Sequence, residues 1–381
     1  MRINALSTSA YPPEHSPMSH RLHCYLLALK ESGQNVKVYF FSEKKITGEF
    51  EGIPYEGINF INTNYFINPP QYLKKLKESL YSIIQESDIF FHSEDRISTI
   101  LAIQKIADSC QTKTVVELNE YPYGFKTRRL DFYLFRWIKQ LFFFQYVIRK
   151  IGAVIVISKS LELLIKKYNK NIIRIPILTK HFEIKRFPHN SQIPFILHAG
   201  ALSENKDGIK GVFEAFNIAQ EQLNGKLHLI FTIKKGLPSL MKWIEEFTAK
   251  NQLKDKIFFK GILSNEDLNQ LYNNCSLAIL NKPDNKQNRH NFPTKLTELL
   301  PRKIPVIVSN TGELKEYFQN EINSIMIQGN DKDDIANGII RIVSDRKLYD
   351  KISNNALLLS QSSFYYRVYS NQLNSFFENI K

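Results

Sequence analysis

The sequence contains few cysteines and no long apolar run, and each shortage excludes a class of protein. Its 381 residues include three cysteines, Cys24, Cys110 and Cys275, which are widely spaced. This spacing provides neither a zinc-ligand pattern nor a disulfide framework, and it is typical of a reducing compartment. No stretch reaches the ~20 apolar residues of a membrane-spanning helix, and the N-terminal segment lacks the apolar core of a signal peptide.

Acidic residues are outnumbered, because 37 Asp and Glu stand against 51 Lys and Arg and the formal net charge is +14. Such a balance favours an acidic partner, which is a nucleic acid, an anionic membrane surface or a phosphorylated substrate. A lysine-rich composition without functional meaning explains the charge equally well. No zinc finger or RNA-binding motif accompanies it, so we predict no nucleic-acid partner. The chain also lacks G-x-G-x-x-G and P-loop patterns, which removes the main evidence for hydride transfer and ATP chemistry.

Short apolar strands alternate with amphipathic helices along almost the whole sequence, a pattern typical of parallel α/β layers. The length exceeds one ordinary core, so two domains are expected. We predict an α/β protein with Rossmann-like domains at residues 1–185 and 194–350, separated by a basic segment around Pro188, and a helical tail at 351–381. The strands of the second domain are expected at Phe195–His198, Leu227–Thr232, Ile257–Lys260, Ser276–Leu280, Val306–Val308 and Ser324–Ile327.

The stretch from Asn291 to Asn310 is the most informative part of the chain. A loop at 291–294 leads into a short helix that carries Lys295 and Glu298, and an apolar strand follows. The N–H groups at a helix N-terminus bind phosphate, and a carboxylate one turn further in accepts hydrogen bonds from ribose hydroxyls. The pattern predicts a nucleotide-diphosphate ligand. The alternative is an exposed helix carboxylate at Glu298 that pairs with Lys295.

A second stretch, from His198 to Phe216, is predicted to form a strand, a polar loop and a helix. Gly200 ends the strand, and Lys206 projects from the loop toward the sheet edge where ligands bind in open α/β sheets. A lysine at this edge is a point charge suited to a phosphate. The alternative is that Lys206 is a solvated loop residue.

Together these stretches resemble the donor site of the retaining GT-B glycosyltransferases of glycosyltransferase family 4. The family pattern has two glutamates eight positions apart, with Phe-Gly two and three places after the first. Glu298 matches the second glutamate and Phe292 the Phe, whereas Pro293 replaces the Gly and His290 the first glutamate. The FPTK-x-x-E variant resembles the capsule and surface-polysaccharide branch of the family.

The resemblance to this family also includes the stretch from His198 to Phe216. Lys206 matches the lysine that holds the donor diphosphate in the family, while the family arginine would fall at Ala201. The resemblance implies two domains that face each other across a cleft, the first binding the acceptor and the second the donor, with the helical tail at 351–381 returning to the first domain. It also implies sugar transfer from a nucleotide-diphosphate sugar with retention at the anomeric carbon, without a metal ion or any other cofactor.

The resemblance assigns roles to individual positions of this chain. The candidate catalytic residues are Lys206, Glu298, His290 and Glu120. The candidate donor-binding residues are Arg21, Gly200, Lys206, Ile262, Phe292, Pro293, Thr294, Lys295, Glu298 and Gly312. Several have structural alternatives: His290 as a polar loop residue, Thr294 as a helix cap, Gly312 as part of an ordinary strand-to-helix turn, and Glu120 as a loop acid paired with Arg128 or Arg129.

Residues 126–150 form a second functional candidate, an aromatic helix with basic flanks. Leu130, Leu134, Trp137 and Leu141 repeat at helical spacing, and Lys and Arg side chains surround them. Such helices lie on anionic membranes, although a core helix with basic flanks remains the alternative. The helix and the net charge lead us to predict a peripheral protein on the inner face of the cytoplasmic membrane, with a glycan or a polyprenyl-diphosphate-linked glycan as acceptor.

Two other functions remain open. A GT-B sugar-nucleotide epimerase would need acid and base carboxylates, for which Glu117 and Glu120 are the candidates. A non-catalytic scaffold subunit is the second alternative, because His290 and Ala201 depart from the family pattern.

Overall fold

The structure is a computed structural model that describes residues 1–13, 16–60, 68–122, 130–186, 193–200, 202–261 and 263–380, with only the backbone for 130–133. The candidate residue Ile262, position Ala201, the segment around Pro188 and residues 126–129 of the basic helix lie outside the described residues. The chain divides into two compact units: Met1–Lys180 with Tyr366–Lys381, and His181–Tyr365. Both units are α/β, so the predicted fold class is confirmed.

The first unit is built on a mostly parallel sheet. Its strands are β1 Arg2–Ser7, β2 Asn35–Ser42, β3 Thr47–Phe50, β4 Ile53–Asn59, β5 Ile89–His92, β6 Lys113–Leu118, β7 Ala153–Val156 and β8 Ile172–Arg174. Within the described residues their order is β3-β4-β2-β1-β5-β6-β7-β8, and the β3–β4 pair is antiparallel. Every residue of β5 and β7 is buried, as expected of parallel strands covered on both faces.

Helices alternate with these strands. They are α1 Pro17–Glu31, α2 Pro69–Gln85, α3 Ile97–Cys110, α4 Leu130–Phe142, α5 Ile148–Lys150 and α6 Lys159–Ile165, with a π-helical turn at Phe143–Val147. The first two begin at a polar cap followed by proline: Ser16 Oγ accepts from the N–H of Ser19 at 3.4 Å, and Asn68 Oδ1 from that of Gln71 at 3.2 Å.

The second unit has a parallel sheet of short, apolar strands. They are β9 Phe195–His198, β10 His228–Phe231, β11 Ile257–Phe259, β12 Leu277–Leu280, β13 Val306–Ser309 and β14 Ile325–Ile327. Their order is β11-β10-β9-β12-β13-β14, and Ile196 at the centre lies opposite both Leu229 and Leu277. All four residues of β9, β12 and β13 are buried, so this sheet is the centre of the core of the unit.

Helices follow most of these strands. They are α7 Glu204–Asp207, α8 Ile209–Gln222, α9 Pro238–Lys250, α10 Asn265–Asn274, α11 Lys286–His290, α12 Leu296–Leu299, α13 Leu314–Tyr317, α14 Lys332–Ser344 and α15 Arg346–Leu359. Ser264 caps α10, because its Oγ accepts from the N–H of Asp267 at 3.1 Å. The longer helices α8 and α14 bury their apolar faces in one cluster with the sheet.

The last residues of the chain return to the first unit. After α15 and a π-helical turn at Ser360–Phe364, a 3-10 turn at Tyr366–Tyr369 leads into α16, Ser370–Glu378. Leu373 and Phe377 are buried within the first unit, against which this segment packs. None of the helices in the described parts of the chain combines the length and apolar composition that crossing a bilayer requires.

Candidate functional site

The order of the second sheet determines where a ligand can bind. From β9 the chain continues to β10 and β11 on one side, and it then crosses to β12 on the other side of β9. In an open parallel sheet, the loops that leave two such strands diverge and form a crevice at their carboxyl ends. The described residues of the two loops, within 199–208 and 281–290, therefore form the candidate site.

A buried ion pair holds these two loops together. Lys282 Nζ donates a hydrogen bond to Oδ1 of Asp207, whose side chain is only 6% exposed. Asn281 strengthens the junction, since its Nδ2 donates to the Gly208 carbonyl at 2.9 Å and its Oδ1 accepts from the N–H of Asn330 at 2.9 Å. Asp207 neutralises much of the Lys282 charge. Because the pair joins the two loops, it also fixes the shape of the crevice.

Lys206 lies in this crevice on α7, a single turn whose first N–H groups are capped by Ser203. The N–H of Lys206 donates to Ser203 Oγ at 3.2 Å. The carbonyl of Lys206 accepts from Asn288 Nδ2, also at 3.2 Å, and Asn285 Nδ2 donates to the Asn205 carbonyl at 2.7 Å. Helix α11 is thus tied directly to the loop that carries Lys206.

His290 ends α11 and contributes an uncharged ring. Its Nδ1 lies 2.7 Å from the carbonyl oxygen of Lys286. A carbonyl only accepts hydrogen bonds, so Nδ1 carries the proton. Burial lowers the pKa of His290, which favours the neutral imidazole at neutral pH. An imidazole of this form can exchange hydrogen bonds with a sugar hydroxyl.

Two candidate glycines, Gly312 and Gly200, lie where other groups of this cluster approach the backbone closely. Gly312 has φ +58°, and a Cβ there would lie 2.4 Å from the carbonyl oxygen of Asn288, so the turn after β13 packs against α11. A Cβ on Gly200 would lie 3.3 Å from His198 Nε2 and 3.7 Å from Asp207 Oδ1. The structure therefore brings the segments of Gly200, Lys206, His290 and Gly312 together.

Glu298 lies on α12 in a polar cluster of its own. One carboxylate oxygen accepts a hydrogen bond from the Tyr272 hydroxyl, and the other from Lys295 Nζ at 2.9 Å. Burial and the neighbouring carboxylate raise the pKa of Tyr272 well above its usual value, so the phenol keeps its proton. The Lys295–Glu298 pair considered as the structural alternative is present. About one third of the Glu298 side chain remains exposed.

The loop before Glu298 differs in detail from the expected helix tip. Helix α12 begins at Leu296, and its first turn has no side-chain cap. Thr294 as the capping residue is therefore wrong, and its carbonyl accepts a hydrogen bond from Thr297 Oγ1 at 2.7 Å. Phe292 is buried, its ring stacked on Tyr317 at 5.3 Å between centroids. Pro293 beside it is half-buried.

In the first unit, Arg21 forms a buried ion pair with Glu117. Arg21 Nε donates to Glu117 Oε1 at 2.9 Å, and both side chains are at most 5% exposed. Arg21 thus compensates a carboxylate of its own unit instead of lying open to a ligand. Glu120, two residues beyond β6, is exposed. Its proposed partners Arg128 and Arg129 lie outside the described residues.

Three ionisable residues at these edges were missed from the sequence: Lys282, Asp207 and Glu94. Glu94 follows β5, which lies beside β1 at the point where the first sheet reverses its strand order. Its carboxyl is buried, which raises the pKa of Glu94 to about 7. Both Glu94 and Lys282 stand two residues after the end of an apolar strand, and this position is the signal that could have identified them.

Part of the chain is similar in sequence to known glycosyltransferases. Residues 179–358 match the family model described as glycosyl transferases group 1. An uncharacterized glycosyltransferase, MJ1607 of Methanocaldococcus jannaschii, is 27% identical over 161 residues, which are 42% of this chain and 38% of that relative's length.

Two solved structures share the fold over essentially the whole chain. Anabaena Alr3699/HepE, solved in complex with UDP and glucose, superposes with a TM-score of 0.71 and 15% identity over 99% of both chains. Sucrose-phosphate synthase of Thermosynechococcus elongatus gives a TM-score of 0.75 and 14% identity, with 99% of this chain and 98% of that chain covered. Residues 179–358 are thus similar to glycosyl transferases group 1, and the fold is that of the GT-B glycosyltransferases, as predicted. This similarity supports the predicted transferase enzyme.

Proposed function

We propose that the protein is a retaining glycosyltransferase of family 4 that moves a sugar from a nucleotide-diphosphate sugar to a glycan or lipid-linked glycan in surface-polysaccharide biosynthesis. The observation that carries the proposal is the crevice at the reversal point of the second sheet, which lies within the matched domain. Crevices at this point bind nucleotides in open α/β sheets. The UDP and glucose complexes of the Anabaena structure support a nucleotide-sugar donor.

The reaction replaces one bond at the anomeric carbon with another. The bond from that carbon to the diphosphate oxygen breaks, and a bond to the acceptor oxygen forms on the same face. The acceptor hydroxyl gives its proton to an oxygen of the departing diphosphate, so atoms and charge balance without a side-chain base. Lys206 stabilises the negative charge that develops on the diphosphate. This chemistry requires no metal ion.

The neutral ring of His290 takes the place of the family's first glutamate at the donor sugar. We assign Glu298 to the ribose, since its carboxylate remains partly exposed while Tyr272 and Lys295 fix its orientation. The buried pairing of Glu117 with Arg21 disfavours the epimerase alternative, because Glu117 is not available as an acid or base.

The test measures both binding and turnover across a panel of nucleotide sugars. Lys206→Ala and Glu298→Ala are expected to abolish transfer, while the exposed positions Lys347→Ala and Glu266→Ala serve as matched controls. Thermal unfolding with and without UDP separates lost binding from lost folding, because a ligand that binds only the folded state raises the melting temperature.

Tyr272→Phe distinguishes a ligand role of Glu298 from a structural one. This variant removes the hydrogen bond to Glu298 but leaves the carboxylate in place. If Glu298 binds the ribose, the Phe variant keeps most of the UDP-induced stabilisation that Glu298→Ala loses. An equal loss of UDP-induced stabilisation in Tyr272→Phe and Glu298→Ala would mean that Glu298 has only a packing role. Normal transfer in Lys206→Ala and Glu298→Ala would overturn the proposed function. Turnover of the donor without acceptor to an epimer would establish the alternative enzyme.

A further inference from the structure

Helix α4 exposes an unusual amount of apolar surface. Seven large side chains between positions 134 and 146 are each 42–58% exposed: Leu134, Phe135, Trp137, Ile138, Leu141, Phe142 and Tyr146. We refer to these seven residues as the α4 surface. A soluble protein normally turns such a stripe toward its core, because each exposed apolar side chain forgoes favourable burial.

The orientation of α4 is opposite to that of an ordinary amphipathic helix, whose apolar face packs against the protein. At 100° per residue, the exposed apolar positions from Leu134 to Phe142 occupy one side, and Arg136 and Gln140 fall on the other. Gln140 is half-buried, and its Nε2 donates to the Pro122 carbonyl at 2.9 Å. The polar side of α4 therefore meets the protein, and the apolar side faces outward.

The π-helical turn that follows reverses this arrangement. Phe143, Phe144, Val147 and Ile148 are all buried in the first unit. A π-helical turn adds one residue to the helical repeat, which rotates the residues after it relative to those before it. One continuous helical segment is thus anchored in the core at its C-terminal end and carries the α4 surface at its N-terminal end.

Positive charge surrounds the α4 surface. Lys139 Nζ lies 4.4 Å from the ring centroid of Phe135, and Lys150 Nζ lies 4.4 Å from that of Tyr146. Arg149 at the end of the segment is exposed, and residues 134–150 contain no Asp or Glu. Aromatic rings with lysine amines at their faces match the interface of an anionic bilayer, where apolar groups meet negative headgroups.

We infer that the α4 surface binds the headgroup region of an anionic lipid bilayer, with α4 lying along the membrane plane. A second copy of the chain is disfavoured as the occupant because it would oppose two basic faces. The inference goes beyond the sugar chemistry, yet it gives the proposed lipid-linked acceptor and the predicted peripheral location a physical basis.

Flotation with lipid vesicles tests the inference. Vesicles contain phosphatidylcholine alone or phosphatidylcholine with phosphatidylglycerol, and the full chain is expected to float only with the second. Trp137→Ser and Leu134→Ser should each weaken binding about tenfold, since each removes a large apolar group. Leu358→Ser is the matched control, because Leu358 in the second unit is 58% exposed, as is Leu134. Lys139→Gln should weaken binding about fivefold, and Lys347→Gln should leave it unchanged.

Absence of flotation with either vesicle, or equal binding by the α4 variants and the control, would overturn the inference. So would concentration-dependent dimerisation that Trp137→Ser abolishes, since the α4 surface would then be occupied by a second copy. The vesicle assay contains no nucleotide sugar, so its outcome is independent of whether the protein transfers sugar.

Discussion

At the scale of single residues, two neighbouring groups at the end of β5 have strongly shifted acid–base properties. His92 is fully buried, and burial lowers its pKa to about 3, whereas burial raises the pKa of Glu94 to about 7. The N–H of Glu94 donates to His92 Nδ1 at 3.3 Å, so both belong to one polar turn at the carboxyl edge of the first sheet. Both groups favour their uncharged forms, and they therefore make stability depend on pH in opposite directions.

We predict that His92→Gln makes the free energy of unfolding less sensitive to acid below a pH of about 6.5. Below a pKa of about 6.5 the unfolded chain binds a proton at His92, while the folded protein resists protonation down to pH about 3. Stability is therefore lost as the pH falls through this window. Between pH 8 and pH 5 the wild type should lose about 2 kcal/mol relative to the Gln variant. Denaturant unfolding at the two pH values measures this difference.

Glu94→Gln provides the control of opposite sign. The folded pKa of Glu94 is raised, so its stabilising protonated form is lost as the pH rises toward about 7. The wild type should lose about 2.5 kcal/mol relative to this variant between pH 5 and pH 8. A pH dependence unchanged by either substitution would mean that these side chains reach water in the folded state.

At the scale of elements, the turn at Gly312 and helix α11 form one of the tightest contacts of the candidate site. We predict that Gly312→Ala costs about 3 kcal/mol, because it combines a left-handed φ with a Cβ placed 2.4 Å from the Asn288 carbonyl. Gly225→Ala is the matched control: φ is +71° there, but a Cβ meets nothing within 4 Å, so about 1 kcal/mol is expected. Denaturant unfolding of both variants isolates the packing contribution. If the two variants lose the same free energy of unfolding, α11 moves aside without cost.

Helices and strands could be predicted where a buried element requires a continuous or periodic run of apolar residues. The strands of the second unit were placed to within about one residue because each is an apolar run between polar loops. The hairpin of β3 and β4 was missed, since β3 is largely exposed and carries no apolar run. Lys206 and His290 were identified from local patterns, but the pair of Asp207 and Lys282 joins loops 75 residues apart. Such a pair depends on strand order, which local periodicity does not specify.

At the scale of the whole molecule, the chain crosses between its two units twice. Residues from Tyr366 onward belong to the first unit, whereas His181–Tyr365 belongs to the second. The returning segment packs on α1: Arg367 Nε donates to Glu31 Oε1 at 2.8 Å, and Ser32 Oγ donates to the Ser370 carbonyl at 3.2 Å. The last helix therefore completes a core whose other elements were synthesised first.

We predict that Phe377→Ala destabilises the first unit selectively. The Phe377 ring is 1% exposed and lies 5.9 Å from the ring of Phe91 on β5, so its removal leaves a cavity that costs about 4 kcal/mol. Val368→Ala on the same segment is the control, because Val368 is half exposed and should cost little. Hydrogen exchange read separately for the two units is the measurement. Faster exchange in β1, β5 and α1 with unchanged exchange in β9 and β12 is expected, because the cavity weakens only the core that α16 completes. Faster exchange in the second sheet instead would show that the returning segment stabilises the unit it leaves rather than the unit it joins.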